Sequence, residues 1–163
     1  MLKPVELYEQ KIIALSSGQF ASTADIWRMF TATKEGDLNT VRQLVLNCSG
    51  LATYEYNYTP PIHFAVREGH LNIVEFLLDY WSDPAYRTYS FRDSLLTIAL
   101  DRQFDSIADI LRNRLYQDFS IRDNLDQILA AASEGDLDQL KLLIGGRAHF
   151  INSANETGET ALH

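Results

Sequence analysis

A single cysteine, Cys48, stands among 163 residues, so no internal disulfide is available and the thiol reads as a reduced, small, partly buried side chain. Long apolar runs are missing too. No stretch approaches the ~18 residues of a membrane-spanning helix, and the start, Met1-Leu2-Lys3-Pro4 followed by Glu6 and Glu9, lacks the apolar core of a secretion signal. These absences make a cytoplasmic protein that does not enter a membrane the expectation. Basic residues are in the minority, 14 Lys and Arg against 22 Asp and Glu for a net charge of -8, and they are not gathered in one stretch. Nucleic acid is therefore not expected as a partner, because its phosphates would be repelled. The rest of the composition, 46% hydrophobic and 22% charged, is that of a folded domain. A compact chain of this length buries roughly 70% of its unfolded surface and needs neither metal nor disulfide to fold.

One segment recurs along the chain. Ala32, Gly36, Asp37 and Leu38 lead on to Val41 and Leu44; Ala65, Gly69, His70 and Leu71 lead on to Ile73, Val74, Leu77 and Leu78. A weaker copy runs from Ala99 through Gln103, Ile107, Ala108 and Leu111, and a fourth from Ala131 through Gly135, Asp136 and Leu137 to Leu143. The alanines are 33, 34 and 32 residues apart, a period that marks a repeat array rather than one globular core. The globular burial fraction is then an overestimate, since each unit of such a stack touches only its neighbours.

Each copy reads as a short apolar helix, a tight turn and a second helix. Leu71, Val74, Leu77 and Leu78 share one helical face, with Asn72, Glu75 and Asp79 on the other. The Gly at 36, 69 and 135 suits a left-handed turn, and Asp37, Asp105 and Asp136 stand where a carboxylate can accept from free N–H groups at a helix start. Between the helix pairs lie residues 49–60, 82–93, 115–124 and 146–158, rich in Tyr, Thr, Asn and Pro. Their length and composition suit extended, paired fingers better than the short turns that join other helix-pair arrays.

Pro60-Pro61-Ile62-His63-Phe64-Ala65, followed by Gly69-His70-Leu71, Ile73-Val74, Leu77-Leu78 and Asp83-Pro84, resembles the ankyrin repeat motif Thr-Pro-Leu-His-x-Ala and its continuation. The resemblance covers about residues 26–163 and implies an all-α-dominated ankyrin-repeat solenoid, helix-turn-helix pairs joined by extended β-hairpin-like fingers. The expected layout is a helical cap and linker over 1–25, repeats over 26–58, 59–92, 93–125 and 126–158, and the start of a fifth, truncated repeat over 159–163. The cap helix is placed at 3–16 from the spacing of Val5, Leu7, Tyr8, Ile12, Ile13 and Leu15. Ser16-Ser17-Gly18 reads as a linker. The chain departs from the motif at Trp81, where the family has Gly and a left-handed backbone would cost roughly 1–2 kcal/mol, and in the third copy, where Gln103 and Thr97 replace the turn Gly and the His.

Chemistry is hard to find. His63 and His163 occupy the helix-start position of the motif, where the imidazole is expected to bond backbone and tie neighbouring repeats, and neither His70 nor His149 has a second ligand at helical spacing. Gly145-Gly146-Arg147 lacks the Lys-Ser/Thr of a phosphate loop. The row Asp101, Asp105 and Asp109 suits a solvated outer face. No catalytic residue, metal ligand or cofactor is expected, and the chain is not read as an enzyme.

The aromatic content of the connectors points to binding instead. In the resembled family the fingers and inner helices form a concave face that binds proteins, and Tyr and Arg are common hot-spot residues. The expected partner-binding residues are Tyr56, Asn57, Tyr58, Arg87, Thr88, Tyr89, Arg92 and Arg122 on the fingers, with Phe64, Glu68 and Arg102 on the inner helices. Tyr56, Asn57, Thr88 and Tyr89 are expected to be exposed at finger tips. The function expected is a protein–protein interaction module, a monomeric scaffold or adaptor for another protein. The alternative is the regulatory arm of a larger enzyme or channel whose functional part lies beyond residue 163.

Overall fold

The computed structural model describes residues 3–89, 91–123 and 125–144. After a 3-10 turn at Val5–Leu7, two short strands, β1 (Ile12–Ala14) and β2 (Phe20–Ser22), precede α1 (Thr23–Glu35), α2 (Leu38–Asn47), α3 (Pro61–Glu68), α4 (Leu71–Asp79), α5 (Leu95–Asp101), α6 (Asp105–Asp123), α7 (Leu125–Glu134) and α8 (Leu137–Ile144). The chain divides into two compact units, Met1–Arg112 and Asn113–His163, and the division falls within α6.

The period seen in the sequence is written into the backbone. Ala32, Ala65, Ala99 and Ala131 each accept, through the carbonyl, a hydrogen bond from the N–H five residues on, at 2.9 Å in all four cases: Asp37, His70, Phe104 and Asp136. The residue before each donor is left-handed, with φ of 83° at Gly36, 82° at Gly69, 62° at Gln103 and 71° at Gly135. Gln103 therefore performs the glycine turn without being glycine. Trp81 does likewise at φ 72°, so the strain expected there is present. Its neighbour Ser82 anchors the turn, the buried hydroxyl donating to the Ala52 carbonyl at 2.9 Å. At the second-helix starts, Asp37 accepts from the Thr40 N–H at 3.1 Å and Asp136 from the Gln139 N–H at 3.0 Å, while Asp105 lies in the first turn of α6.

In the first unit, α1 packs on α3 and α3 on α5, with α4 beside α2. Ile26 and Met29 of α1, Ile62 and Val66 of α3, and Leu95 of α5 are fully buried in one core with Val41, Ile73, Leu77 and Leu111. Each such side chain contributes roughly 1.5–3 kcal/mol. Polar ties reinforce the stack: the His70 ring nitrogen Nε2 meets the Lys34 carbonyl at 2.9 Å, one repeat away. In the second unit α7 packs on α8, and Ile128 and Ala131 are buried.

Three expectations are corrected. Residues 3–16 form no cap helix; they make the 3-10 turn and the first strand of an antiparallel hairpin pairing Ile12 with Ser22 and Ala14 with Phe20. Burial there has period two, with Leu15 and Ala21 inside and Ile12 and Phe20 outside. Long-range bonds decide it. Thr23, itself buried, donates through its hydroxyl to the Glu9 carbonyl at 2.7 Å and accepts from the Lys11 N–H at 3.2 Å, and the Gln19 side-chain oxygen accepts from the Gly50 N–H at 2.7 Å. Ser16-Ser17-Gly18 is thus a hairpin turn, with Gly18 at φ 78°, not a linker. The third connector is also not a finger, since α6 runs on to Asp123. Residues 49–60 contain Gly50 and Pro60 and residues 82–93 contain Pro84, but 115–124 contain neither Gly nor Pro, so nothing interrupts the helix. The fourth connector and the start of a fifth repeat lie outside the described residues.

Candidate partner-binding surface

The two fingers among the described residues are short. In the first, after a 3-10 turn at Ser49–Ala52, Tyr56 and Thr59 form a bridge, and Asn57 (φ 48°) and Tyr58 (φ 61°) are the left-handed pair that a two-residue hairpin turn demands. In the second, Arg87 bridges Ser94, the Thr88 N–H donates to the Asp93 carbonyl at 3.0 Å, and Arg92 turns the chain at φ 58°. The Thr88 hydroxyl accepts from the Asp93 N–H at 3.0 Å and the Arg87 guanidinium donates to the Arg92 carbonyl at 3.2 Å. The first turn is closed by its backbone bridge and the second by its own side chains as well.

The fingers also hold each other. The Tyr58 and Tyr89 rings stack with centroids 4.7 Å apart and planes 12° from parallel, although the residues are 63% and 74% exposed. Behind them the Tyr86 hydroxyl, its pKa raised by burial, donates to the Tyr58 carbonyl at 2.7 Å. Phe91, also exposed, adds a third aromatic to the second finger.

The expected residues sort differently from one another. Asn57, Tyr58, Arg87, Tyr89 and Arg92 are exposed on the two fingers. Tyr56 is not an exposed tip: it is half-buried, packs edge-on against Phe30 at 6.4 Å and donates through its hydroxyl to Glu6 at 2.9 Å. Strand alternation from Tyr54 to Tyr58 suggests exposure, but the turn at Asn57 reverses the chain and sends Tyr56 back toward the core. Thr88 is likewise half-buried, its hydroxyl occupied within the turn. Arg122 belongs to α6 rather than to a finger, and its side chain lies outside the described residues.

On the inner helices, Phe64 is half-buried against Phe30, with centroids 5.8 Å apart. Glu68 pairs with Arg67 at 2.7 Å; that hydrogen bond, with Lys34 and Arg102 as further positive charges, holds its carboxyl below the ordinary value. Arg102, exposed, caps the end of α5. Lys34 and Arg67 join this band although residue type alone did not single them out; their 33-residue separation was the available signal.

His63 departs from the expected backbone bond at one ring nitrogen: its Nδ1 is buried with no hydrogen-bond partner among the described residues. At the starts of α1 and α5 a hydroxyl reaches the side chain three residues on, Ser22 to Asp25 at 2.8 Å and Ser94 with Thr97 at 2.9 Å. At α3 the corresponding residue is Pro60, which has none to offer. Burial, followed by the charges of Arg67 and Arg102 and opposed by Glu68, lowers the His63 pKa from 6.5 to about 4. Between those values the unfolded chain holds a proton that the native state does not, so stability is full above pH 6.5 and falls as pH drops toward 4. For this partly exposed ring the loss is roughly 1–2 kcal/mol after solvent screening. Urea titrations of His63→Gln across pH 7 to 4 are expected to lose this component. The lowered carboxyls Asp37 and Glu68 act in a separate window, stabilising above their ordinary values near 4 and losing that contribution below them.

Among the described residues, no group of three His, Cys, Asp or Glu could hold a metal ion, and no helix is long and apolar enough to cross a membrane. The elements present define a helical repeat protein that holds aromatic and basic side chains on short fingers beside a charged inner-helix band. The chain belongs to the ankyrin repeat family: the family's pattern of ankyrin repeats, in three copies, matches residues 29–123. Repeats of this family are protein-interaction modules. The probable E3 ubiquitin-protein ligase XBOS33 of Oryza sativa subsp. japonica is 34% identical over 71 residues, which are 42% of this chain and 14% of that protein. Among solved structures, a chain in the complex of the predatory endopeptidase Bd0816 from Bdellovibrio bacteriovorus with immunity protein Bd3460 aligns over 83% of this chain and 71% of its own, with 23% identity and a TM-score of 0.48.

Proposed function

We propose that the chain is a non-enzymatic adaptor that captures another protein on its two fingers and the adjoining inner-helix band. The observation that carries this is the Tyr58–Tyr89 stack: two exposed aromatics locked ring to ring, each on a self-closed turn. Free aromatic side chains lose rotamer entropy when a partner orders them, whereas a stack already fixed by its neighbour and by the Tyr86 hydroxyl loses little. Arg87 and Arg92 flank the stack with donors, so the fingers offer apolar area and hydrogen bonds together. The module acts as a cytoplasmic monomer and carries out no chemistry of its own.

A photo-crosslinking residue at position 58 or 89, introduced in the native cell, is expected to trap the same protein from both positions, and one at exposed Asp109 on α6 is not. Tyr58→Ala with Tyr89→Ala is expected to lose that protein while far-UV circular dichroism is unchanged. Undiminished capture by the double variant would remove the fingers from the binding surface.

A second reading makes these repeats the targeting arm of a longer protein. The rice relative favours it, since the matching stretch there is a small part of a much longer chain.

A further inference from the structure

Between the N-terminal segment, α1, the first finger and α3 lies a recess of about 200 Å³ walled by Pro4, Leu7, Trp27, Phe30, Tyr56 and Phe64. Four of these six walls are aromatic, and none of the four is among the most exposed aromatics of the chain. Phe30 is buried, and it meets Tyr56 and Phe64 at interplanar angles of 60° and 73°, so the rings stand as walls at steep angles rather than as a flat sheet. Trp27 lies three residues before Phe30 on the same side of α1.

We propose that this recess holds the methylated ammonium group of a lysine side chain carried by a partner protein. An aromatic face attracts a cation through its ring quadrupole, most strongly when the cation is desolvated. One cation already sits so here: the Arg67 guanidinium lies 5.1 Å from the Phe64 centroid, with its charge engaged by Glu68. A negative charge stands next to one wall of the recess, although it does not line it: Glu6 accepts from the Tyr56 hydroxyl, is exposed, and makes no ion pair among the described residues. The chain as a whole carries a net charge of -8, which favours the approach of a cation.

Methylation follows from what the recess lacks. A bare ammonium has three donors to satisfy and is strongly hydrated, yet only Asn57 and Thr59 add polar side chains to the lining. Methyl groups remove the donors and spread the charge over an apolar surface that matches the rings. Size points the same way, since the recess is smaller than the ~300–1,000 Å³ of pockets that enclose drug-sized ligands and suits the end of a single side chain. From the proposed function this takes only that the partner is a protein; it does not depend on the Tyr58–Tyr89 stack.

The chain has two tryptophans, so the Trp27 indole N–H resonance can be followed in ¹H–¹⁵N spectra with that of Trp81 as internal reference. Capped Nε-trimethyl-lysine amide is expected to shift the Trp27 resonance saturably. Its neutral analogue, with a tert-butyl group in place of trimethylammonium, and capped unmethylated lysine amide are expected to bind roughly three- to thirty-fold more weakly. Glu6→Gln retains an acceptor for the Tyr56 hydroxyl while removing the charge, and is expected to weaken the trimethyl-lysine but not the neutral analogue. Equal binding of the neutral analogue would make the recess an ordinary apolar pocket and overturn the proposal. So would a Trp27 resonance that none of the probes moves, or one that phosphatidylcholine vesicles perturb while the lysine derivative does not. Loss of the finger partner in Tyr58→Ala/Tyr89→Ala leaves these outcomes unaffected, which separates the two proposals.

Discussion

Ile62→Ala is expected to destabilise the Met1–Arg112 unit by about 2–5 kcal/mol, through lost transfer energy and the cavity left behind. Ile62 is fully buried at the start of α3, the helix that packs on α1 on one side and α5 on the other. In a stack, stability is close to a sum of unit terms and nearest-neighbour interfaces. A void in the middle unit therefore weakens two interfaces at once. Native-state hydrogen exchange is expected to show lowered protection in α1 and α5 as well as α3. Loss confined to α3 would mean that the repeats are less coupled than their packing implies.

Gly69→Ala comes second, at roughly 2–4 kcal/mol, from two separable causes. The backbone there is left-handed, φ 82°, which costs a residue with a Cβ roughly 1–2 kcal/mol. A Cβ would also lie 2.8 Å from Cζ of Phe104, closer than carbon atoms tolerate, so the ring at the start of the next second helix must move. A double-mutant cycle separates the two. In a Phe104→Ala background the contact is absent, and Gly69→Ala is expected to cost only the backbone strain. Equal costs in both backgrounds, measured by urea denaturation, would show that the ring yields freely.

That pair of causes also shows how far the sequence could be read. The demand for a left-handed residue after each first helix is local and follows from the tight turn, so Gly36, Gly69 and Gly135 announce it directly. The same demand at Gln103, and the left-handed backbone after the second helix at Trp81, are met by residues that give no local sign of it, and only their place in the period points there. The close approach of Phe104 to Gly69 joins residues 35 apart and leaves no trace in either one's neighbourhood. His70 at Gly36 is the same device one repeat earlier, its Cε1 2.7 Å from where a Cβ would stand.

The candidate surface divides along the same line. Tyr56 and Tyr58 are two residues apart with identical side chains, yet one points to the core and the other to solvent, because Asn57 and Tyr58 both turn left-handed and Glu6 and Phe30 are there to receive the Tyr56 ring. The N-terminal segment is the clearest case. Its apolar spacing suits a helix, but the Thr23 hydroxyl bonds the extended backbone at Glu9 and Lys11 and the Gln19 side-chain oxygen accepts from the Gly50 N–H, partners 12 to 31 residues apart.

By itself the sequence determined the helix pairs, their period of 33, most of their turns and the family, because an amphipathic helix and a left-handed turn are decided by residues within a few positions of one another. The tertiary structure alone decided the β-hairpin at the start, the burial of the His63 nitrogen and which tyrosines face solvent. Each of these depends on partners distant along the chain, and a packed stack brings them together only when all its members are in place.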